Sequence, residues 1–351
     1  MARAASLRAL LGIGSVGRRG VAAAGHGRDA GPCCPPCCWR GFRGVASASG
    51  GRAEPRSSSS RFALMRAQIQ ARRAARTRPP VESSGWVTGG SVSGDGKISW
   101  GYSSFKGRRP GMEDRFSIKS TTINGQTVNL FGVFDGHGGK LAAEYLKEHL
   151  FENLVKHPEF LKDTKLAICQ TFLKTDADFL ESVSSDSFRD DGSTALAAVL
   201  VGNHLYVANV GDSRAVALKS GKVVPLSEDH KPNRKDERKR IEDAGDTWRV
   251  DGLLAMSRAF GNRELKHCVK AEPDIQEKVV EEGLEYLVLA TDGIWDVMRN
   301  EDAISLLKAQ DGPKAAAMKL TEVAHSRLSF DNITCIVVQF HQGKPTNIKR
   351  W

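Results

Sequence analysis

The sequence lacks both long apolar runs and regularly spaced cysteines. No stretch of its 351 residues approaches the roughly 18–20 apolar residues of a membrane-spanning helix, so we predict no membrane span. Four of the seven cysteines crowd into residues 33–38, whereas Cys169, Cys268 and Cys335 stand alone. This distribution is not a disulfide framework and suits a reducing compartment. No His/Cys pair follows the cluster at zinc-site spacing, which argues against a zinc site there.

Residues 1–80 lack lysine altogether and contain only Asp29 and Glu54 as acids, against fifteen arginines. The net charge of +10 therefore belongs to this segment, because the remaining residues carry 36 basic and 39 acidic side chains. We expect a disordered, low-complexity basic extension. Three interpretations stay open: an organelle transit peptide, an inert tail, or a contact with nucleic acid or anionic lipid. A transit peptide would address the mitochondrion or plastid, and without one we expect the cytosol or nucleus.

The remaining sequence divides into three parts. Residues 81–96 are small and polar and predict a linker, residues 97–342 predict one folded domain, and residues 343–351 form a short tail. Within the domain, predicted strands and predicted helices occur in groups rather than in alternation. The predictions include a hairpin turn at Asn124-Gly125, a helix over residues 158–185, and strands over His204–Val210 and Ile333–Phe340. This grouping favours an α+β fold with an antiparallel sheet core.

The stretch Val133-Phe-Asp-Gly-His-Gly-Gly139 lies between a predicted buried strand and a predicted helix. Glycines at such a turn let the backbone adopt positive φ and approach a ligand closely. Asp135 is a ligand type that hard cations prefer, and His137 is the side chain most easily used as a proton donor near neutral pH. Taken alone, the stretch is equally compatible with a glycine-rich turn in which Asp135 caps the helix.

Acidic residues recur where predicted strands end. They are Glu113, Asp114, Asp135, Asp212, Asp292, Asp296 and Asp331. Several carboxylates on one rim of a core repel one another unless cations neutralise them. Oxygen-only ligand sets select Mg²⁺ or Mn²⁺ over zinc or copper, and two such ions can activate a water and hold a phosphoryl group for in-line attack. If the strand ends converge, the residues predict such a site.

Eight motifs resemble, in chain order, those of the type-2C metal-dependent serine/threonine protein phosphatases, plant members in particular. They are Arg109-Pro-Gly-Met-Glu-Asp114, Phe134-Asp-Gly-His-Gly-Gly139, Asp191-Gly-Ser-Thr-Ala195, Asn209-Val-Gly-Asp-Ser-Arg214, Asp229-His-Lys-Pro232, Leu254-Ala-Met-Ser-Arg-Ala-Phe260, Thr291-Asp-Gly-Ile-Trp-Asp296 and Asp331-Asn332. The resemblance covers about residues 98–340. It implies two antiparallel β-sheets packed as a central sandwich with helices outside, a four-layer αββα fold.

The resemblance also implies a set of metal ligands and a set of residues that act on the metals indirectly. The ligands of two Mg²⁺ or Mn²⁺ ions would be Asp135, which bridges them, the carbonyl of Gly136, Asp292 and Asp331. Glu113 and Asp114 would act through metal-bound waters, and Asp212 and Asp296 would belong to a weaker third metal site.

Arg109 and His137 would act on the substrate. By the resemblance, Arg109 binds the phosphate, a task that suits a guanidinium fork. His137 would protonate the leaving Ser or Thr oxygen, while a hydroxide bridging the two ions attacks without a phosphoenzyme. Four simpler interpretations stay open: Arg109 as a surface charge, His137 as a packing residue at the helix start, Asp212 as a turn residue, and Asp296 as a helix N-cap.

The chain departs from the family pattern at residues 245–248, where the flap beside the active site is several residues shorter than in relatives. The shortening leaves an alternative function open, a catalytically weak phosphatase-like docking or regulatory module. Otherwise we expect phosphorylated protein substrates, kinases as possible partners, and a monomer. A nuclease is disfavoured because residues 81–351 are mildly acidic and contain no basic–aromatic stripe. Asn262, which replaces an Asp of many relatives, suggests no mechanism by itself.

Overall fold

The computed structural model describes residues 85–183, 190–245 and 256–341. All of them belong to one compact unit, Pro32–Trp351. Three predictions concern residues outside the described ones: the basic extension 1–80 with its cysteine cluster, the tail 343–351, and residues 246–248 of the shortened flap. No helix in residues 85–183, 190–245 and 256–341 has the length and apolarity needed to cross a membrane.

The described residues form fourteen strands. In chain order they are β1 (Trp86–Val92), β2 (Ile98–Phe105), β3 (Arg115–Ile123), β4 (Gln126–Phe134), β5 (Gly136–His137), β6 (Gly192–Ser193), β7 (Ala195–Val201), β8 (His204–Val210), β9 (Arg214–Lys219), β10 (Lys222–Pro225), β11 (Phe260–Gly261), β12 (Asp274–Val279), β13 (Leu284–Ala290) and β14 (Ile333–Phe340).

Six α-helices accompany these strands in the described ranges. They are α1 (Leu141–Lys156), α2 (Thr164–Ser182), α3 (Lys235–Asp243), α4 (Asp292–Trp295), α5 (Asn300–Lys308) and α6 (Gly312–Ser326), and a 3-10 helix covers Arg263–Leu265.

The strands pair into two large antiparallel sheets and one small one. The first sheet has the order β1-β2-β14-β13-β9-β10, and the second has the order β12-β8-β7-β4-β3. The short strands β11, β6 and β5 form a third sheet beside them. Every pair within these sheets is antiparallel.

Alternating side chains of the strands fill three apolar layers. In β4, Leu130 and Phe134 pack with residues of α1 and α2, whereas Phe131 and Val133 face the layer between the two sheets. On the far side, Val288 and Val337 pack with residues of α5 and α6. Two helices therefore cover each outer face of the sheet sandwich, and the predicted αββα fold is confirmed.

The hairpin between β3 and β4 turns at Asn124 and Gly125, as the sequence predicts. Both residues have positive φ, 52° and 79°, which is the conformation of a type I′ turn. The predicted helix over residues 158–185 is shorter in the structure. It begins after Asp163, whose side chain accepts a hydrogen bond from Leu166 N at 3.0 Å and so caps α2.

The linker prediction for residues 81–96 is wrong for β1. Trp86–Val92 pairs with β2 along its whole length, because main-chain hydrogen bonds do not depend on an apolar pattern. The small residues there have a packing reason: a Cβ on Gly89 would lie 2.4 Å from the Tyr102 hydroxyl. The folded domain therefore includes residues that composition assigned to a linker.

Candidate active site

Carboxylates from both large sheets meet at one end of the sandwich. Asp114 immediately precedes β3 and Asp135 immediately follows β4, while Asp292 opens α4 just after β13. Asp331 lies two residues before β14 and Asp212 lies between β8 and β9. The charges of the other four carboxylates all act on Asp135. The convergence that the sequence could only suggest is therefore present.

The carboxylates raise one another's pKa values. Burial is the largest cause for Asp135 and Asp292, and the neighbouring carboxylates add to it, so both pKa values lie well above the ordinary range. Burial and the charge of Asp331 raise the pKa of Asp114 to about 7, although hydrogen bonds from Thr334 and Thr291 oppose the rise. The cluster thus has more negative charge than its surroundings compensate.

Two basic side chains pair with this cluster. Arg109 Nη2 donates to Asp331 Oδ2, and Lys231 Nζ donates to Asp212 Oδ2. Burial by itself would lower the pKa of Arg109, but the charges of Asp331, Asp135 and Asp292 raise it above its ordinary value. Arg109 therefore lies at the edge of the cluster and pairs with one of its carboxylates.

Some polar atoms of the cluster remain without partners. Within the described residues, Asp292 Oδ1, Asp212 Oδ1 and Arg109 Nε are buried and make no hydrogen bond. Yet no group of three or more His, Cys, Asp or Glu side chains in the described part of the chain is arranged to hold a metal ion. Two of the carboxylates, Asp331 and Asp212, are engaged in the ion pairs with Arg109 and Lys231.

Asn332 fixes the loop that carries Arg109. Its Nδ2 donates to the carbonyls of Lys106 at 2.7 Å and Gly111 at 2.9 Å, and its Oδ1 accepts from Glu113 N at 2.7 Å. The loop approaches Asp331 so closely that a Cβ on Gly107 would lie 2.2 Å from the Asp331 carbonyl oxygen. We did not predict this role from the sequence, although the Asp331-Asn332 pair is one of the shared motifs.

Two threonine hydroxyls hold acidic residues in place. Thr291 Oγ1 donates to Asp114 Oδ2 at 3.0 Å, and Asp135 N donates to Thr194 Oγ1 at 3.1 Å. Both threonines are fully buried, so these bonds are shielded from water.

His137 is oriented by Asn262. The Asn262 Nδ2 donates to the Asp190 carbonyl at 3.2 Å, which leaves Oδ1 to accept from His137 Nε2 at 2.8 Å. Burial lowers the pKa of His137, and the bond to Asn262 offsets part of the effect. A Cβ on Gly192 would lie 2.1 Å from Asn262 Oδ1, so only glycine leaves room for the pair. This contact gives Asn262 a function that its sequence position did not suggest.

The interpretation of Asp135 as the cap of α1 is wrong. The N–H of Leu141 at the start of the helix donates to Asp191 Oδ2 at 3.0 Å. Asp191 lies close enough that a Cβ on Gly139 would meet its carboxylate at 2.0 Å. Asp135 therefore does not cap α1, and its carboxylate belongs to the cluster.

Asp212 and Asp296 differ in their surroundings. Asp212 is buried and bonded to Lys231, whereas Asp296 is exposed at the C-terminal end of α4. The interpretation of Asp296 as a helix N-cap is therefore wrong. The charges of both residues raise the pKa of Asp292, so both lie within electrostatic reach of it.

Comparison with known proteins gives one family. Residues 98–333 match the family model described as "Protein phosphatase 2C". "Probable protein phosphatase 2C 56" of Oryza sativa subsp. japonica is 74% identical, and the match covers 99% of both chains. "Probable protein phosphatase 2C member 13, mitochondrial" of the same plant is 67% identical over 75% of this chain and 74% of its own length.

A solved structure shares the fold. The crystal structure titled "serine-threonine phosphatase 2C from Toxoplasma gondii" superposes with a TM-score of 0.65, covering 74% of this chain and all of that one. At 24% identity, this likeness extends to the architecture alone.

Proposed function

The chain belongs to the protein phosphatase 2C family and is a protein serine/threonine phosphatase of plant type, and from this premise we propose that its carboxylate cluster works with bound Mg²⁺ or Mn²⁺. The observation that carries the proposal is the excess of buried negative charge, with raised pKa values at Asp114, Asp135 and Asp292. Divalent cations would remove that repulsion.

The oxygen donors fit these ions. The ligands would be Asp135, the Gly136 carbonyl, Asp292 and Asp331 for two ions, with Asp212 and Asp296 at a weaker third site and Glu113 and Asp114 acting through waters. The buried oxygens of Asp292 and Asp212 that lack partners support this assignment. Hard cations prefer such all-oxygen sets.

Two of the proposed ligands pair with basic side chains. Asp331 pairs with Arg109, and Asp212 pairs with Lys231. Arg109 would bind the substrate phosphate through two parallel hydrogen bonds, which suits its guanidinium fork.

His137 would donate the proton that the leaving Ser or Thr oxygen needs. Asn262 accepts a hydrogen bond from Nε2 and thereby fixes the ring. The chemistry that the bound ions supply is the activation of water for direct attack on phosphorus, so that no phosphoenzyme forms.

The substrates are phosphorylated proteins, and we infer that a monomer acts on them. The domain would run from Trp86 or earlier to about residue 342. For the basic segment 1–80, the mitochondrial name of one relative supports an organelle address. Imaging residues 1–80 fused to a fluorescent protein in plant cells would test this: organelle import is expected, and a diffuse signal would contradict it.

The enzymatic test is phosphate release from a phosphothreonine peptide. We expect turnover with Mn²⁺, none with EDTA, and a loss of at least about a thousandfold in Asp135→Ala and Asp292→Ala, because the water would no longer be activated. The control is Asp178→Ala, which removes an acid paired with Lys174 on α2. A folded wild-type chain that binds Mn²⁺ without turnover would contradict the proposal and support the docking module instead.

A further inference from the structure

Two loops form the phosphate side of the proposed active site, and both continue outward. The loop after β2 carries Arg109, and the loop before β14 carries Asp331, its ion-pair partner. The residues that directly precede Arg109 and Asp331 are also in contact with each other. The Arg108 guanidinium lies over the Phe330 ring, 5.3 Å from its centroid. A second contact therefore lies directly beside the first.

The outer contact is part of an exposed apolar surface. Phe330 is 61% exposed and Leu328 is 56% exposed, the two highest values among the large apolar side chains of the described residues. Leu328 has a φ of 66° just after α6, where glycine would be more favourable. Neither side chain fills the core, so the fold alone does not account for them.

An aromatic stack extends this surface. Trp86 stacks on Phe105 with ring centroids 3.9 Å apart, and His325 packs edge-on against Phe105 at 5.0 Å. The charge of Arg108 acts on His325, which connects the stack to the loops. We call Arg108, His325, Leu328 and Phe330 the rim patch.

We propose that the rim patch binds a large apolar side chain of the substrate, within about three residues of the phosphorylated Ser or Thr. The inference rests on the proposed function. The position of the rim patch beside the active site supports the inference, because Arg108 and Phe330 directly precede Arg109 and Asp331. An extended peptide advances only about 3.3 Å per residue, so a side chain close to the phosphorylated residue can reach the patch. The cation on the Phe330 ring also disfavours basic side chains in the same position. The rim patch is thus a specificity-determining surface for the phosphatase reaction.

Paired phosphothreonine peptides test the inference. One peptide has glycine on both sides of the phosphothreonine, and the others carry a single Phe at each of the three positions on either side. We expect the wild-type chain with Mn²⁺ to prefer one Phe peptide by about five- to tenfold in kcat/KM, through a lower KM at similar kcat.

Two variants remove the patch in different ways. Phe330→Ala should reduce the preference to less than about twofold while the glycine peptide is still turned over. Leu328→Gly should also weaken the preference, and it should leave the melting temperature equal or higher because glycine suits the positive φ. The matched control is Val279→Ala, an exposed apolar residue on the edge strand β12, which should keep the preference.

The outcomes separate the inference from the proposed function. Equal kcat/KM for all peptides, or a preference that survives in Phe330→Ala, would overturn the inference and leave the phosphatase activity standing. No Mn²⁺-dependent turnover of any peptide would overturn both. If Phe330→Ala instead converts a dimer into a monomer in sedimentation experiments and the preference is unchanged, the rim patch is a self-association surface and the inference is wrong.

Discussion

Two groups of buried charges in this protein behave in opposite ways. In the first group, Glu237 accepts hydrogen bonds from Arg240 and Arg258, and Asp274 accepts from Arg234 and Arg258. We call these five residues the balanced cluster. Burial alone would raise the pKa values of both acids, but Arg240 and Arg258 hold the pKa of Glu237 far below the ordinary range. His230, Arg258 and Arg234 do the same for Asp274. The second group is the carboxylate cluster of the active site, whose pKa values are raised.

The difference separates structure from function. The balanced cluster is complete, because its positive charges come from the chain itself, and it joins α3 to the segments around Ser257 and β12. The carboxylate cluster is incomplete, because Arg109 and Lys231 supply too little positive charge for the acids around them. A folded chain keeps such repulsion only when the surrounding structure imposes it, which is typical of functional sites.

The largest effect is expected from unbalancing the balanced cluster. Arg258→Met removes hydrogen bonds from both Glu237 and Asp274 and leaves buried carboxylates without compensation. We predict a loss of about 3–5 kcal/mol in the free energy of unfolding, measured with urea at pH 7. Arg299→Met is the control, because Arg299 is an exposed partner of Asp302, and its loss should cost less than about 1 kcal/mol.

In the carboxylate cluster we expect removal of a charge to increase the free energy of unfolding rather than to decrease it. Asp292→Asn removes one of the repelling charges and keeps the shape of the side chain. In metal-free buffer we therefore predict a gain of about 1–2 kcal/mol in the free energy of unfolding. A loss of stability of the size expected for Arg258→Met would show that both groups depend on their charges for stability in the same way. That result would contradict the contrast between the two groups.

The two groups should also respond to pH in opposite directions. Folding raises the pKa of Asp114 from 3.8 to about 7, so the folded chain holds a proton that the unfolded chain releases between these values. The contribution of Asp114 to the stability of the metal-free protein should therefore fall as the pH rises from about 4 to 7. Glu237 and Asp274 have lowered pKa values, so their contribution is present above the ordinary values of 4.5 and 3.8 and is lost in stronger acid.

Thermal melting without metal from about pH 3 to 8 measures both effects. Asp114→Asn should remove the contribution of Asp114, so that the variant gains stability relative to the wild-type chain as the pH rises from about 4 to 7, and it should leave the loss in stronger acid unchanged. A difference between the two chains that stays constant across this range would contradict the assignment of uncompensated carboxylates.

The smallest effect is expected at Asp296. It is exposed, and it influences Asp292 only through its charge. We predict that Asp296→Asn changes the free energy of unfolding by less than about 0.5 kcal/mol. Its effect on Mn²⁺-dependent turnover should be smaller than that of Asp212→Asn, because Asp212 is buried. Equal losses of turnover in the two variants would show that burial does not determine how much each of these two acids contributes to turnover.

Sequence periodicity predicted the strands that are buried on both faces. His204–Val210 and Ile333–Phe340 have the predicted bounds, because continuous apolar runs mark such strands. The edge strands β1 and β12 were missed. Their sequences, Trp-Val-Thr-Gly-Gly-Ser-Val and Asp-Ile-Gln-Glu-Lys-Val, are held by main-chain pairing, and most of their side chains stay partly or fully exposed.

The acids of the active site could be named from the sequence because each lies at the end of a recognisable strand. The residues that form hydrogen bonds with the active-site residues could not be predicted in this way. Asn262 meets His137 across 125 positions of chain, and Asn332 meets Glu113 across 219. Such contacts depend on how loops pack after the sheets have formed. The shared motif marked Asp191 as well, but only the structure assigns it to the cap of α1.

The most direct test of the central claim is the response of the melting temperature to Mn²⁺ at pH 7, in the wild-type chain and in Asp135→Asn/Asp292→Asn. For the wild-type chain we predict a higher melting temperature with Mn²⁺, equivalent to about 2.7 kcal/mol at a hundred times the dissociation constant. The double variant should melt at or above the metal-free wild-type temperature and should not respond to Mn²⁺. An unresponsive wild-type chain, or a destabilised variant that still responds, would contradict the claim that the carboxylate cluster is a cation site.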